Sequence, residues 1–266
     1  MWKLDIRYNV IAQTRLGDQN NVIAAGGHTD SVGAGPGIND DGSGIIGILE
    51  VAIQLGKYSV KNAVRFCFWT AEEFGLIGST YYVSKLSSEE QNKIALYLNF
   101  DMIASPNFVY FVYDGDGSTF NISGPPGSDK IEHMFEEHFL DVGWQTKPTN
   151  FSGRSDYGPF LEVGIPSGGL FTGAEDVKTP EEAEYYGGKA GEWYDPNYHR
   201  PGDTVKNCNM DAWITNTKAI AHSIATYARC TDDIPKRAPA KVKREFSAET
   251  KSHLHHSHCG HVDVGM

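Results

Sequence analysis

The chain has 266 residues and a mass of 29.3 kDa, enough for one large domain with a sizeable core or for two small ones. Its formal charge is -11, from 34 Asp and Glu against 23 Lys and Arg, so the surface repels phosphate backbones and no nucleic-acid partner is expected. No apolar run approaches the roughly 18 residues of a membrane span, and four Cys in this length do not make a disulfide framework.

Along the chain, residues 7–13 and 22–27 read as strands, and the Gly-Asp-Gln-Asn turn at 17–20 predicts a hairpin joining them. Residues 43–55 are apolar nearly all round, which predicts a buried helix. Strand-like runs follow at 64–69, 96–101 and 108–113. An amphipathic helix is expected over 130–140, and a long one over 211–228 with Asn209 or Asp211 near its start. Strands alternating with helices predict a three-layer α/β domain over residues 1–230. The composition changes near Cys230. Beyond it come Pro235, Lys236, Arg237, Lys243 and Arg244, then a tract with His253, His255, His256, His258 and Cys259. Residues 231–266 therefore read as a disordered basic and His-rich tail whose metal affinity is adventitious. Two N-x-[ST] sequons, at Asn121 and Asn150, support secretion only weakly.

Five polar signatures punctuate the predicted domain. They are Gly27-His28-Thr29-Asp30 after the second strand, and Asn39-Asp40-Asp41-Gly42-Ser43-Gly44 before the apolar helix. Ala71-Glu72-Glu73-Phe74-Gly75 follows the third strand, Asn99-Phe100-Asp101-Met102 ends the fourth, and Tyr198-His199 lies near residue 200. Each alone is weak: Asp41 or Ser43 reads as a helix N-cap, and a Glu-Glu pair is usually solvated surface. Together they matter, because sites in open α/β sheets form at the carboxyl ends of strands. Asp101, between Phe100 and Met102, needs a partner or a bound cation.

Two imidazoles, His28 and His199, with the carboxylates Asp40, Glu73 and Asp101 form a mixed N/O donor set suited to zinc. The set holds two ions if one carboxylate bridges. Two divalent ions bring four positive charges; the three carboxylates offset three and a hydroxide the fourth, so Glu72 leaves the site net negative. That balance favours a substrate ammonium over a substrate carboxylate. Glu72 and Glu73 are adjacent, so in an extended segment one faces the metal and the other the attacking water. Asp30 is placed to accept the second N–H of the His28 ring.

In this order, the motifs resemble those of the dinuclear-zinc aminopeptidases, within them the branch of vacuolar aminopeptidase Y and the secreted leucine aminopeptidases. The segments 153–160 and 168–175 extend the likeness, which spans roughly residues 8–230. The resemblance implies a three-layer α/β/α sandwich with a central mixed, mostly parallel sheet. It implies two Zn2+ ions, one on His28 and Asp101, the other on Glu73 and His199, with Asp40 bridging. It makes Glu72 the general base and acid, Tyr198 the group that polarises the scissile carbonyl, and Arg154 a residue that helps position the substrate's free amino terminus. A cis peptide is implied at Asp40-Asp41. The substrates would be peptides with a free N-terminus and a large apolar first residue, the protein a monomer with no membrane partner, its location secreted or vacuolar.

The sequence departs from that pattern in two places. Asn197 and Gly202 stand where the branch often has a local disulfide. No leader follows Met1, and the chain starts a few residues before its first strand, so part of the N-terminal region is expected to be missing. Cys67 is expected to be a buried free thiol, and Cys208 and Cys230 flank a helix too long for them to pair. Three rivals remain: an inactive metal-binding descendant, a glutaminyl cyclase with one zinc, and a carboxypeptidase of the wider fold group. G-x-S-x-G and H-E-x-x-H are both absent.

Overall fold

Seven strands make one sheet in the computed structural model, which describes residues 7–237. They are β1 (Val10–Gln13), β2 (Asp18–His28), β3 (Asn62–Trp69), β4 (Ile94–Phe100), β5 (Phe111–Tyr113), β6 (Lys147–Thr149) and β7 (Ser167–Phe171). Their spatial order is β1-β3-β2-β4-β7-β5-β6. The β1/β3 and β5/β7 pairs are antiparallel and the other neighbours parallel, the mixed and mostly parallel sheet expected.

Period-two alternation decides what each strand sends to each face. Ile23 and Ala25 of β2, Val64 and Phe66 of β3, and Leu96, Leu98 and Phe100 of β4 enter one hydrophobic cluster. Ala24, Cys67, Trp69 and Tyr97 enter the other. Both faces are apolar, as a parallel sheet covered on both sides requires. On the first face lie α1 (Gly42–Leu55), α4 (Ser128–Asp141) and α7 (Met210–Arg229). The second carries α2 (Ile77–Lys85), α3 (Ser88–Lys93) and α5 (Gly158–Glu162). There Tyr97 stacks on Phe160 with ring centroids 3.9 Å apart, and the Trp69 indole donates to the Tyr97 hydroxyl at 2.8 Å. Each large apolar side chain buried in this way contributes about 1.5–3 kcal/mol. The remaining helix, α6 (Pro180–Tyr186), starts at Thr179 with a reciprocal capping box to Glu182. Asn209 caps α7, its side chain accepting from Ala212 N–H.

Three expectations need correction. β1 and β2 are not a hairpin: β3 lies between them, with Val10 opposite Phe68 on one side and His28 opposite Trp69 on the other. The chain reverses at residues 15–17, and residues 18–20 already belong to β2; a local reversal does not decide which strand fills the gap. The first helix is buried on one face only: Ser43, Gly47, Ile48 and Val51 are covered, whereas Ile46, Leu49 and Ile53 are 51%, 46% and 57% exposed. It is an outer-layer helix, so one stripe meets the sheet. Finally, order continues past residue 230. Ile234 joins the core, and Arg237 donates to the carbonyls of Gln91 and Val163. The rest of the expected tail, including its His tract, lies outside the described residues.

The crossover from β3 to β4 passes over β2, so the carboxyl ends of β3, β2 and β4 open side by side at a point where strand order reverses. His28 ends β2, Glu72 and Glu73 follow β3, and Asp101 follows β4. No helix among the described residues is long and apolar enough to cross a membrane.

Candidate metal centre and active-site cleft

Asp40 is the hub of the site. Its Oδ1 lies 3.1 Å from Nε2 of His28, and its Oδ2 lies 3.1 Å from Nε2 of His199. Asp101 Oδ1 stands 3.6 Å from the first imidazole, and Glu73 Oε2 3.0 Å from the second. Ligand atoms around a tetrahedral zinc sit about 3.4 Å apart, given bond lengths near 2.1 Å. Two groups of that size, His28/Asp40/Asp101 and Asp40/Glu73/His199, therefore share one carboxylate. Glu73 Oε1 is buried with no hydrogen-bond partner. An unsatisfied carboxylate oxygen beside an N/O donor set fits a divalent cation. Glu72 Oε2 is 3.9 Å from His28 Nε2, at the rim of the first group.

Each side chain is held from behind. The Asp40-Asp41 peptide is cis, and the Asp203 carboxylate accepts the backbone N–H groups of Asn39 and Asp40 at 2.8 and 3.1 Å. Asp41 caps α1 through Gly44 N–H and also accepts from His28 and Met102 N–H, at 3.0–3.1 Å, so one carboxylate joins β2, α1 and the segment after β4. Ser155 donates to Asp101 Oδ2 at 2.6 Å and accepts from Asn99. The carbonyl oxygen of Asp30 accepts the His28 Nδ1–H at 3.0 Å, leaving the Nε2 lone pair toward the carboxylates. The Asp30 carboxylate lies 3.7 Å from that ring and instead accepts from the N–H groups of Glu72 and Glu73. Those two residues sit in a turn, not in an extended segment, and Ala71 before them has φ of 56°. Met102 and His199 are also in the left-handed region. Positive φ at three non-glycine positions around one centre is strain of the kind active sites hold, about 1–3 kcal/mol each.

The electrostatics follow from crowding. Burial alone would lower the His28 pKa, but Asp101, Asp30 and Asp40 outweigh it and raise it well above the usual range. His199 is pushed up to about 9, burial being overcome by Asp40 and Glu73. Burial opposes ionisation of Asp40, yet the two imidazoles pull it well below the carboxylate range. Burial, with Asp101, Asp156 and Asp40 near, raises Glu72 well above its ordinary value despite His28. Negative groups thus hold positive charge at both imidazoles, which is the field a metal ion would meet.

The centre opens into a cleft of about 280 Å³. Met102, Tyr113, Tyr157 and Phe171 supply an apolar wall, and Arg154, Glu175 and Tyr198 a polar one. All nine residues expected from the sequence lie in or beside this one site. Asn99, Ser155, Asp203 and Glu175 were missed as functional residues. Three of these lie in the very motif segments that resemble the family, which was the available signal. Asn197 and Gly202, without the disulfide, are in contact: a Cβ on Gly202 would fall 2.0 Å from Asn197 Oδ1. The Asn197 amide donates to Asn207 at 2.6 Å, and Asp195 accepts from both Asn197 N–H and the Asn207 amide. Cys67, Cys208 and Cys230 are free. In a third acidic group, Asp114, Asp116 and Glu132, backbone N–H groups of residues 115 and 116 donate to Glu132 Oε2 and those of residues 119 and 120 to Asp114 Oδ2.

An α/β/α domain whose strand ends carry a shared-carboxylate centre of imidazoles and carboxylates defines a class of metal-dependent hydrolase folds. Within that class, residues 9–224 match the model of peptidase family M28, and the chain belongs to that family. It is 58% identical over 254 residues to the probable leucine aminopeptidase 2 of Aspergillus fumigatus, covering 95% of this chain and 51% of that protein. It is 56% identical over 259 residues to leucine aminopeptidase 2 of Trichophyton rubrum, covering 97% and 52%. The chain thus spans about half the length of the curated relatives it matches. Among solved structures, a zinc aminopeptidase from Bacillus subtilis superposes with a TM-score of 0.67 at 24% identity, covering 85% of this chain and 53% of that one. A glutaminyl cyclase from Bacteroides thetaiotaomicron shares the fold at a TM-score of 0.61 and 15% identity, covering 82% and 76%.

Proposed function

We propose that the chain is the catalytic part of a zinc aminopeptidase that holds two ions and removes the first residue of peptides with a free N-terminus. The observation that carries this reading is the Asp40 carboxylate, whose two oxygens each stand 3.1 Å from a different imidazole. A second triad, Asp40, Glu73 and His199, offers donors for a second ion and supports this reading. His28 and Asp101 would hold one ion, Glu73 and His199 the other, and Asp40 both. When bound, zinc supplies Lewis acidity, lowering the pKa of water and drawing charge onto a carbonyl oxygen.

The protein's own groups do the rest. Glu72 takes the proton of the attacking water and later gives it to the leaving amine, a role suited to a carboxyl whose pKa burial has raised well above its ordinary value. Tyr198 donates a hydrogen bond from its hydroxyl to the carbonyl oxygen as negative charge develops there. Glu72 and Asp101 receive the substrate ammonium, beside the wall on which Arg154 lies. Met102, Tyr113, Tyr157 and Phe171 favour a large apolar first side chain, in keeping with the leucine aminopeptidase names of the relatives. A monomer in a secreted or vacuolar location completes the reading, on the family resemblance.

The test pairs metal analysis with hydrolysis of leucine p-nitroanilide, free and N-acetylated. Two zinc ions per chain and cleavage of the free substrate alone are expected. One zinc per chain, or equal cleavage of the blocked substrate, would overturn the two-ion exopeptidase.

A further inference from the structure

We propose that Glu175 is a positioning residue for the hydrolysis, holding Arg154 so that the guanidinium donates to the Tyr198 hydroxyl oxygen and turns the phenol proton toward the substrate carbonyl. This deepens the reading above and rests on Tyr198 being the carbonyl donor.

Three separate stretches meet here. Arg154 precedes α5, Glu175 follows β7, and Tyr198 lies in the turn beside His199. Arg154 Nη1 is 2.8 Å from Glu175 Oε1, and its Nη2 donates to Tyr198 Oη at 3.1 Å. Backbone bonds brace the last two stretches: Asp195 N–H to the Ala174 carbonyl at 2.9 Å and Tyr194 N–H to the Asp176 carbonyl at 3.0 Å. A guanidinium is a donor only. Its bond to the phenol therefore uses an oxygen lone pair, and the single phenol proton has to point elsewhere. The Tyr198 ring is itself stacked on the His199 imidazole, with centroids 3.8 Å apart, so its hydroxyl has little freedom to drift from the cleft.

The Arg154–Glu175 pair is not there for stability. The Arg154 side chain is 55% exposed and that of Glu175 36%, and ion pairs so open to water contribute little. Yet Glu175 Oε2 is buried with no hydrogen-bond partner, a cost that needs another explanation. Orientation supplies it. Without the carboxylate, the flexible arginine keeps only its bond to the phenol and can swing into solvent.

The experiment is a double-mutant cycle on the zinc-loaded full chain, with leucine p-nitroanilide as substrate. Glu175→Gln should lower kcat about tenfold, a fraction of the roughly 10²–10³ that one oxyanion donor carries, with KM within about threefold, and zinc content and melting temperature unchanged. Arg154→Lys, which keeps the charge but cannot span both partners, should behave alike. In a Tyr198→Phe background, Glu175→Gln should cost nothing further. An equal loss in that background, or full kcat in the single variant, overturns the positioning role while leaving Tyr198 in place. If Tyr198→Phe itself keeps full activity, the parent reading of Tyr198 falls and the positioning role falls with it.

Discussion

The two walls of the centre are built differently. His28, Asp40 and Asp101 stand at strand ends or a helix start, and the His28 side chain is 1% exposed. His199 and Tyr198 stand on a turn between β7 and α7, and the His199 side chain is 37% exposed. The first wall is fixed by the sheet and by Asp41, which ties three elements at once. The second depends on side-chain hydrogen bonds among Asp195, Asn197 and Asn207. A shared carboxylate is what makes the two one site: Asp40 belongs to the rigid wall and reaches the loop-borne imidazole.

That difference gives a graded set of expectations. Asp40→Asn should have the largest effect, because it removes the joint. Zinc should fall on both halves and turnover should be lost, and normal zinc stoichiometry in this variant would falsify the bridging role. Glu72→Gln should separate metal from chemistry, keeping the zinc while turnover drops about 10²–10⁴-fold. Near-normal turnover would remove Glu72 as the base.

Metal uptake should report the field around the two imidazoles. Both pKa values are raised, His199 to about 9, so a metal has to displace protons that the carboxylates retain. Apparent zinc affinity should therefore climb with pH up to about 9, roughly tenfold per unit for each proton displaced. Titrations of the metal-stripped protein at pH 6, 7 and 8 check this, and a flat profile contradicts it. Asn197→Ala should then act on the loop-borne wall alone. Loss of its bond to Asn207 should weaken zinc at the loop-borne site and leave the other unchanged. Equal weakening of both would mean that the walls are not separable.

The same contrast explains what the sequence made legible. The rigid wall announces itself: His28 and Asp101 come at the ends of apolar runs that read as strands, and Asp40 comes just before an apolar helix. β7 does not read as a strand because it contains Gly168 and Gly169. Glycine is needed there, since a Cβ on Gly169 would fall 1.9 Å from the Asn99 carbonyl oxygen, and its φ is 153°. β6 hides for another reason: Lys147-Pro148-Thr149 carries a proline, which an edge strand tolerates and a central one does not. The order of strands was not readable either, because the placement of β3 between β1 and β2 depends on long-range pairing and not on turn residues. His199 stands out as a second imidazole in a polar stretch, but its pairing with Glu73 and the role of Tyr198 come only through the family likeness. Nothing local in Asp195-Pro-Asn-Tyr-His shows that the turn bends back to Asp40.

The smallest expected effect tests whether the loop-borne wall leans on α6. Thr179 accepts from Glu182 N–H at the start of that helix, and the Glu182 carboxylate returns to Thr179 N–H while also accepting the Tyr194 hydroxyl at 2.7 Å. Tyr194 begins the stretch that carries Tyr198 and His199, so the cap is two steps from the metal. Thr179→Ala should cost about 1 kcal/mol of stability, the usual value of an N-cap, and lower the melting temperature by about 2–4 °C in a domain of this size. The Glu182–Tyr194 bond survives that change, and so do the hydrogen bonds of Asp195 to Asn197 and Asn207. Zinc content and kcat/KM should therefore stay as they are. A loss of zinc from Thr179→Ala would show that the helix, and not the asparagine pair, sets the loop.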